Sequence, residues 1–243
     1  MLFYIDTEYT NGNFYLGEIF EIAVLSESSG YVFHSYINIF PNRISKYVMK
    51  MCNITYDHLT APPSFTQVID GLIKFIKQEA TPSDKIIIVG HGSYTTDFPL
   101  LITNCMKAKY DYTQFEAFTF IDSMQTLKDK GYQRPNLNAL TEGKEEDRVH
   151  TALGDAMLLQ NVVARLFNEE DISTTNKHSY KLQDILQYLN LKLPISIQSL
   201  AELSSSTPSL QSFEEQLYKQ ANEKTALNTK QISNIAYKYS RHI

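Results

Sequence analysis

Cysteine is scarce in this chain. Cys52 and Cys105 are the only two, and they lie far apart in the sequence. They match no spacing that holds a metal, and nothing in the sequence supports a disulfide between them. Both read as reduced thiols of an intracellular protein, in the cytoplasm or nucleus. Long apolar runs are missing too. The apolar start Leu2-Phe3-Tyr4-Ile5 is interrupted at Asp6, far short of the hydrophobic region of a secretion signal. Without such a signal, the glycosylation pattern at Asn53-Ile54-Thr55 reads as coincidence. No stretch approaches the roughly 20 apolar residues that span a bilayer, so no membrane partner is expected. A basic excess is also absent. Lys and Arg number 22 against 27 Asp and Glu, for a net charge of −5. This argues against a strongly basic surface that coats nucleic acid. It does not exclude a nucleic-acid enzyme, because cations neutralise the negative charge of a carboxylate-built metal site.

What is present suffices for a core. The chain has 243 residues, 43% of them apolar, enough for one domain with residues to spare. Residues 2–8, 19–25 and 31–39 read as strands, with Glu27-Ser28-Ser29-Gly30 as a turn between the last two. Their close spacing predicts an antiparallel meander, since a parallel crossover needs a dozen or more residues. Phe65, Val68, Ile69, Leu72, Ile73 and Ile76 fall on one face of a helix, with Ser64 as its N-cap. A short apolar strand follows at 85–89, a helix at 98–108, a fifth strand at 118–122 and a strong helix at 152–167. Strands that alternate with helices in this way give a mixed α/β sheet flanked by helices. Residues 168–177 are polar and linker-like. Residues 181–191 look helical through Leu182, Ile185, Leu186 and Leu189. A Ser-rich loop at 203–211 and further helices within 213–239 complete the pattern.

Three acidic signals stand out. In Asp6-Thr7-Glu8 the two acids lie two apart on a strand, so both project from one face. Like charges that close resist joint ionisation unless a cation sits between them. Hard divalent cations such as Mg²⁺ or Mn²⁺ prefer oxygen ligands. Asp97, after the strand at 85–89, sits where a loop meets a helix and could instead merely cap it. Asp155 opens the helix at 152–167, where the helix dipole favours an acid, and His150 precedes it in a loop. Each signal alone is ordinary: a solvated pair, a cap, a favourable helix-start acid.

Taken in order, Asp-x-Glu, then Asp, then His-x4-Asp resembles the DEDDh, or DnaQ-like, family of 3′–5′ exonucleases in the ribonuclease-H-like superfamily. Asp6-Thr7-Glu8-Tyr9-Thr10 is similar to the first motif of that family, Asp-x-Glu-x-Thr. Ile19-Phe20-Glu21-Ile22-Ala23 is similar to its second strand. Ile54-Thr55, with Leu59, Ala61-Pro62 and Phe65, matches the segment before its long helix. Ile121-Asp122-Ser123 looks like its Ile-Asp-Thr strand end, and Asp97-Phe98-Pro99-Leu100-Leu101 is similar to the three-prime repair exonucleases. One departure is Gly92, where the family commonly has Asn after the histidine.

The resemblance implies a ribonuclease-H-like mixed five-stranded sheet at residues 1–167, and it leaves 168–243 as a helical C-terminal extension of unassigned role. It implies two Mg²⁺ or Mn²⁺ ions held by Asp6, Glu8, Asp97 and Asp155, with His150 as general base. The implied substrate is a nucleic acid with a free 3′ end, single-stranded by expectation, cleaved to nucleoside 5′-monophosphates. Thr7, Tyr9, Thr10, Ile54 and Tyr94 are the candidate substrate contacts, each weighed against ordinary packing. Two other readings remain. One is a binding module for nucleic acid or protein on an exonuclease fold; the other is an oligoribonuclease-like enzyme for very short RNA. At 213–243 the cations Lys219, Lys224, Lys230, Lys238 and Arg241 outnumber Glu214, Glu215 and Glu223. That excess fits a helical lid, a substrate path or a partner surface.

Overall fold

Alternating apolar residues start the fold as a meander. Strands β1 (Leu2–Tyr9), β2 (Ile19–Ser26) and β3 (Val32–Tyr36) pair antiparallel in sequence order. The chain then crosses over, and β4 (Ile86–Gly90) joins β1 in parallel, followed by β5 (Phe118–Asp122), parallel to β4. This computed structural model describes residues 1–14, 17–40, 43–140 and 150–192. The loop and helices expected beyond 192, with the basic residues of 213–243, lie outside the described residues. Among the described residues, no helix is long and apolar enough to cross a membrane.

Among the described residues the sheet has six strands, where five were expected, in the order β3-β2-β1-β4-β5-β6. The sixth, β6 (Ser179–Tyr180), pairs antiparallel with β5. Two residues are too few to show a period-2 pattern, and they lie just past the polar stretch 168–177 read as a linker. Directly after them, α8 (Leu182–Lys192) buries Leu182, Ile185 and Leu189 in the main core. Residues 179–192 therefore pack on the sheet of residues 2–122, across the boundary expected at 167.

Helices cover both faces of the sheet. Small helices α1 (Lys46–Met51) and α2 (Asp57–Thr60) follow β3, and α3 (Phe65–Glu79) comes next. Ser64 caps α3 in a reciprocal box with Gln67, and the face expected to be buried is buried: Val68, Ile69, Leu72, Ile73 and Ile76. Helix α4 (Asp97–Lys107) lies on the same side, where Phe3 and Ile5 of β1 join the core of α3, α4 and α8. After β5 come α5 (Ser123–Asp129) and the single turn α6 (Leu137–Leu140). Helix α7 (Ala152–Leu166) covers the opposite face. There Tyr4, Ala23, Val89 and Ile121 meet its Ala156, Leu159, Val162 and Val163. Each fully buried aliphatic side chain of this kind contributes roughly 1.5–3 kcal/mol, so α7 is firmly seated.

The two cysteines are free and buried. One buried acid organises the chain after β4. The Asp122 carboxylate accepts the backbone N–H groups of Gly92 (2.9 Å), Tyr94 (3.1 Å), Met124 (3.0 Å) and Gln125 (3.4 Å). It thus caps α5 and fastens the turn that leads into α4. Burial pushes its carboxyl pKa up, while the four N–H groups pull the other way. Asp122→Ala orphans these donors at once. It should lower unfolding free energy by about 3 kcal/mol, since each buried unpaired donor costs roughly 1–3 kcal/mol. Urea titration should show the midpoint falling with an unchanged slope. A midpoint within error of the parent protein would mean the turn holds itself.

Candidate active site

Alternation along β1 sorts its polar end. Tyr4 faces α7, so Asp6 and Glu8, two and four residues on, point to that same side. Asp155 lies in the first turn of α7, where Thr151 caps the helix through the Gly154 N–H at 3.1 Å. Burial of the α7 face thus holds Asp155 beside two acids that repel it. Glu8, His150 and Asp155 each offer an atom able to ligate a metal, and these three atoms lie within 4.8 Å of one another. Nδ1 of His150 is 3.7 Å from an Asp155 carboxylate oxygen. The backbone N–H of His150 donates to the Met51 carbonyl at 3.2 Å, which ties it to the end of α1.

Asp97 arrives from the other side of the sheet. Thr7 points opposite to its neighbours, toward α4, and clasps the Asp97 carboxylate with its N–H (3.2 Å) and its hydroxyl (2.5 Å). The Thr96 hydroxyl adds a third bond at 2.8 Å. Asp97 is therefore no helix cap. It is fixed to β1 beside Asp6. The turn that delivers it depends on two glycines. At Gly90 a side chain would collide with Ser93, and Gly92 has φ +71°. Glycine and asparagine are the residues that tolerate this left-handed conformation best. The conformation at Gly92 is thus one that an asparagine would also tolerate.

The elements meet in a cleft of about 450 Å³ whose walls include Asp6, Glu8, Tyr9, Asp97, Asp155 and His91. Its electrostatics are those of crowded anions. Burial raises the Asp6 carboxyl well above its ordinary range, and the charges of Asp97, Asp155, Glu8 and Glu21 raise it further. Glu8 is pushed from 4.5 to about 8, first by burial and then by Asp155 and Glu21. Four acids this close cannot all ionise without a counter-charge. An all-oxygen set suits hard divalent cations.

The candidate substrate contacts divide. Thr7, Tyr9 and Thr10 line the cleft. Thr7 is occupied with Asp97, and the Thr10 hydroxyl accepts the Glu18 N–H at 3.1 Å. Burial and the acid cluster raise the Tyr9 phenol. Ile54 and Tyr94 are not brought to the cleft. Ile54 is buried among Phe20, Ile39 and Leu59. One face of Tyr94 is covered by Tyr180, stacked at 3.8 Å between ring centroids, and Tyr188 lies 5.1 Å away.

Sequence reasoning missed several neighbours of the acids. The Cys52 thiol sits 3.6 Å from a Glu8 oxygen, and burial and Glu8 raise its pKa. Glu21 is buried directly across the β1–β2 pairing from Glu8, 2.8 Å from His34. This cross-strand placement was readable once the register was known. His91 and Met124 line the cleft as well. Burial lowers His91 to about 4, so its ring is neutral at pH 7.

Comparison with known proteins agrees with this geometry. Among solved structures, a 3′-exonuclease described in 3′-end recognition of the histone mRNA stem-loop is 21% identical, with a TM-score of 0.57. The match covers 68% of this chain and 62% of that one. The nuclease domain of 3′hExo, a DEDDh family member bound to rAMP, is 22% identical over 68% of this chain and 90% of that one, with a TM-score of 0.56. E. coli Exonuclease I in complex with a dA16 oligonucleotide is 15% identical over 80% of this chain and 43% of that one, with a TM-score of 0.54. At these identities the likeness establishes the fold. Among curated proteins there is no significant match. The family model RNase_T, described as Exonuclease, matches residues 3–163. That span runs from β1 through His150 to the buried face of α7, and over it the chain belongs to the RNase_T exonuclease family.

Proposed function

We propose that this chain hydrolyses phosphodiester bonds from the 3′ end of a nucleic acid and releases nucleoside 5′-monophosphates. The observation that carries the reading is the convergence of Asp6, Glu8, Asp97 and Asp155 in one cleft beside His150. The 3′ polarity is supported by the solved neighbours described as 3′-exonucleases, and a mononucleotide product by the rAMP in one of them. A single-stranded substrate is supported by the oligonucleotide in another.

The donor set fits two Mg²⁺ or Mn²⁺ ions. Asp6, Glu8, Asp97 and Asp155 would hold them. When bound, such a pair stabilises the entering and leaving oxygens of an in-line displacement. The protein does the rest. Thr7 and Thr96 keep Asp97 in one orientation. Asp155 lies on the Nδ1 side of His150, which leaves Nε2 as the atom that takes a proton from the attacking water. His150 has a side chain 43% exposed, so it reaches solvent from the cleft edge.

Asp6→Asn should abolish Mg²⁺-dependent release of mononucleotides from a 3′-labelled oligonucleotide, while the metal-free protein melts no lower than its parent. Its carboxylate is a source of repulsion in the empty cluster, so neutralising it costs the fold nothing. Retained turnover would remove the acid cluster from the mechanism.

His150→Ala should lower kcat by roughly 10²–10⁴, the range for a lost general base. A second reading is that His150 ligates a cation, since its ring nitrogen lies in the same 4.8 Å group as Glu8 and Asp155. Mn²⁺ titration by calorimetry separates the two, because a base leaves metal affinity intact and a ligand does not. An unchanged kcat would exclude both roles.

Stability should depend on pH in a fixed direction. Glu8 titrates near 8 in the folded protein against an ordinary 4.5, and Asp6 is raised as well. The folded state thus holds protons that the unfolded chain releases. Their contribution is complete below about pH 4.5 and disappears as pH rises through about 8. Melting in EDTA should show Tm falling over that interval. Mg²⁺ or Mn²⁺ should restore it most at the alkaline end, by relieving the repulsion and by mass action. A cation effect of equal size at both ends would contradict the assignment of these acids as ligands.

A further inference from the structure

No Asp or Glu occurs between Glu27 and Asp57, in a chain with 27 acids in all. Within that stretch, α1 presents Lys46, Tyr47 and Lys50 to solvent. Tyr47 is 75% exposed, more than most large apolar or aromatic residues of the described chain. Among the described residues none of these three side chains has a hydrogen bond, an ion pair or a ring contact. The nearby Arg43 differs, since it pairs with Glu18 at 3.4 Å.

The position of α1 gives this exposed group its meaning. Val48 and Met51 line the acidic cleft, and the Met51 carbonyl accepts the His150 N–H. Tyr47 precedes Met51 by four residues, so the two are neighbours on one helix face, as are Lys46 and Lys50. The aromatic ring and the two ammonium groups therefore begin where the wall of the cleft ends. Each supplies what the cleft itself does not. A phenol ring offers a stacking platform for any base, and lysines offer counter-charge to successive phosphates.

We propose that α1 is the track along which single-stranded nucleic acid enters the cleft. Tyr47 stacks on a base on the 5′ side of the terminal nucleotide, and Lys46 and Lys50 meet the phosphates beside it. This rests on the cleft being an exonuclease site, and the chemistry of α1 assigns the path of its substrate.

The test compares a substrate that fills only the cleft with one that reaches past it. The first is the p-nitrophenyl ester of thymidine 5′-monophosphate, and the second is a long single-stranded oligonucleotide, each with Mg²⁺. Oligonucleotide affinity is read separately by fluorescence anisotropy with Ca²⁺ in place of Mg²⁺. Tyr47→Ala should raise KM and Kd for the oligonucleotide about tenfold, within the range for loss of one stacked base, and leave kcat/KM for the ester unchanged. Lys46→Ala with Lys50→Ala should flatten the logarithmic salt dependence of Kd by about 0.7 for each lysine. If both variants keep the parent's KM, Kd and salt slope while the ester is still cleaved, the track is overturned and the catalytic reading stands. Surface residues used by a protein partner would give that result. If the parent binds the oligonucleotide through Tyr47 but cleaves neither substrate, the track stands and the catalytic reading fails.

Discussion

Strand alternation on β1 places repulsion and restraint within three residues of each other. Asp6 and Glu8 point toward α7 and meet Asp155, while Thr7 points toward α4 and clasps Asp97. The crowding of charge raises both β1 acids and would push the elements apart. The bonds from Thr7, together with the buried faces of α4 and α7, prevent that. A cluster held against its own repulsion is a preformed receptor for positive charge, because binding cations relieves a strain already built into the fold. The sheet thus acts as the common support, with acids delivered to its rim from both faces.

The same arrangement explains which parts could be read in the sequence. Elements with enough residues to show a period were legible: β1, β2, β5, and the apolar faces of α3 and α7 all appear within a residue or two of expectation. Asp6, Glu8, Asp97, His150 and Asp155 were legible as an ordered set, although each alone had an ordinary explanation. Features that depend on two distant segments were not. The two-residue β6 carries no pattern and exists because β5 offers it an edge. Tyr94 looked like a free platform for a base until β6 brought Tyr180 onto its ring. Ile54, beside the cleft in sequence terms, is drawn into a small core with Phe20 and Leu59.

Asp122 shows the same limit from the other direction. As the end of a strand it could be matched to a family pattern, but no sequence rule tells which backbone groups a buried carboxylate will gather. It takes N–H groups from the turn after β4 and from the start of α5. Gly92 belongs to that turn, and its φ of +71° is a conformation that glycine tolerates well. The backbone conformation is the constraint there, and either of two residue types satisfies it.

The surface around the cleft resolves the apparent conflict between an acidic chain and an anionic substrate. A net charge of −5 weakens long-range attraction to phosphates. Part of the acidity, however, belongs to the cluster itself, whose charge cations would neutralise on binding. The remaining need is local: positive charge and flat apolar surface at the mouth of the cleft. The acid-free segment from 28 to 56 provides both on α1, where Lys46, Tyr47 and Lys50 are exposed beside Val48 and Met51 of the cleft wall. Charge distribution, more than total charge, decides whether such a surface can guide a polyanion, because screening limits each interaction to about 10 Å at ordinary ionic strength. An acidic protein can therefore handle nucleic acid, provided the few unpaired cations stand within that distance of the reacting phosphate.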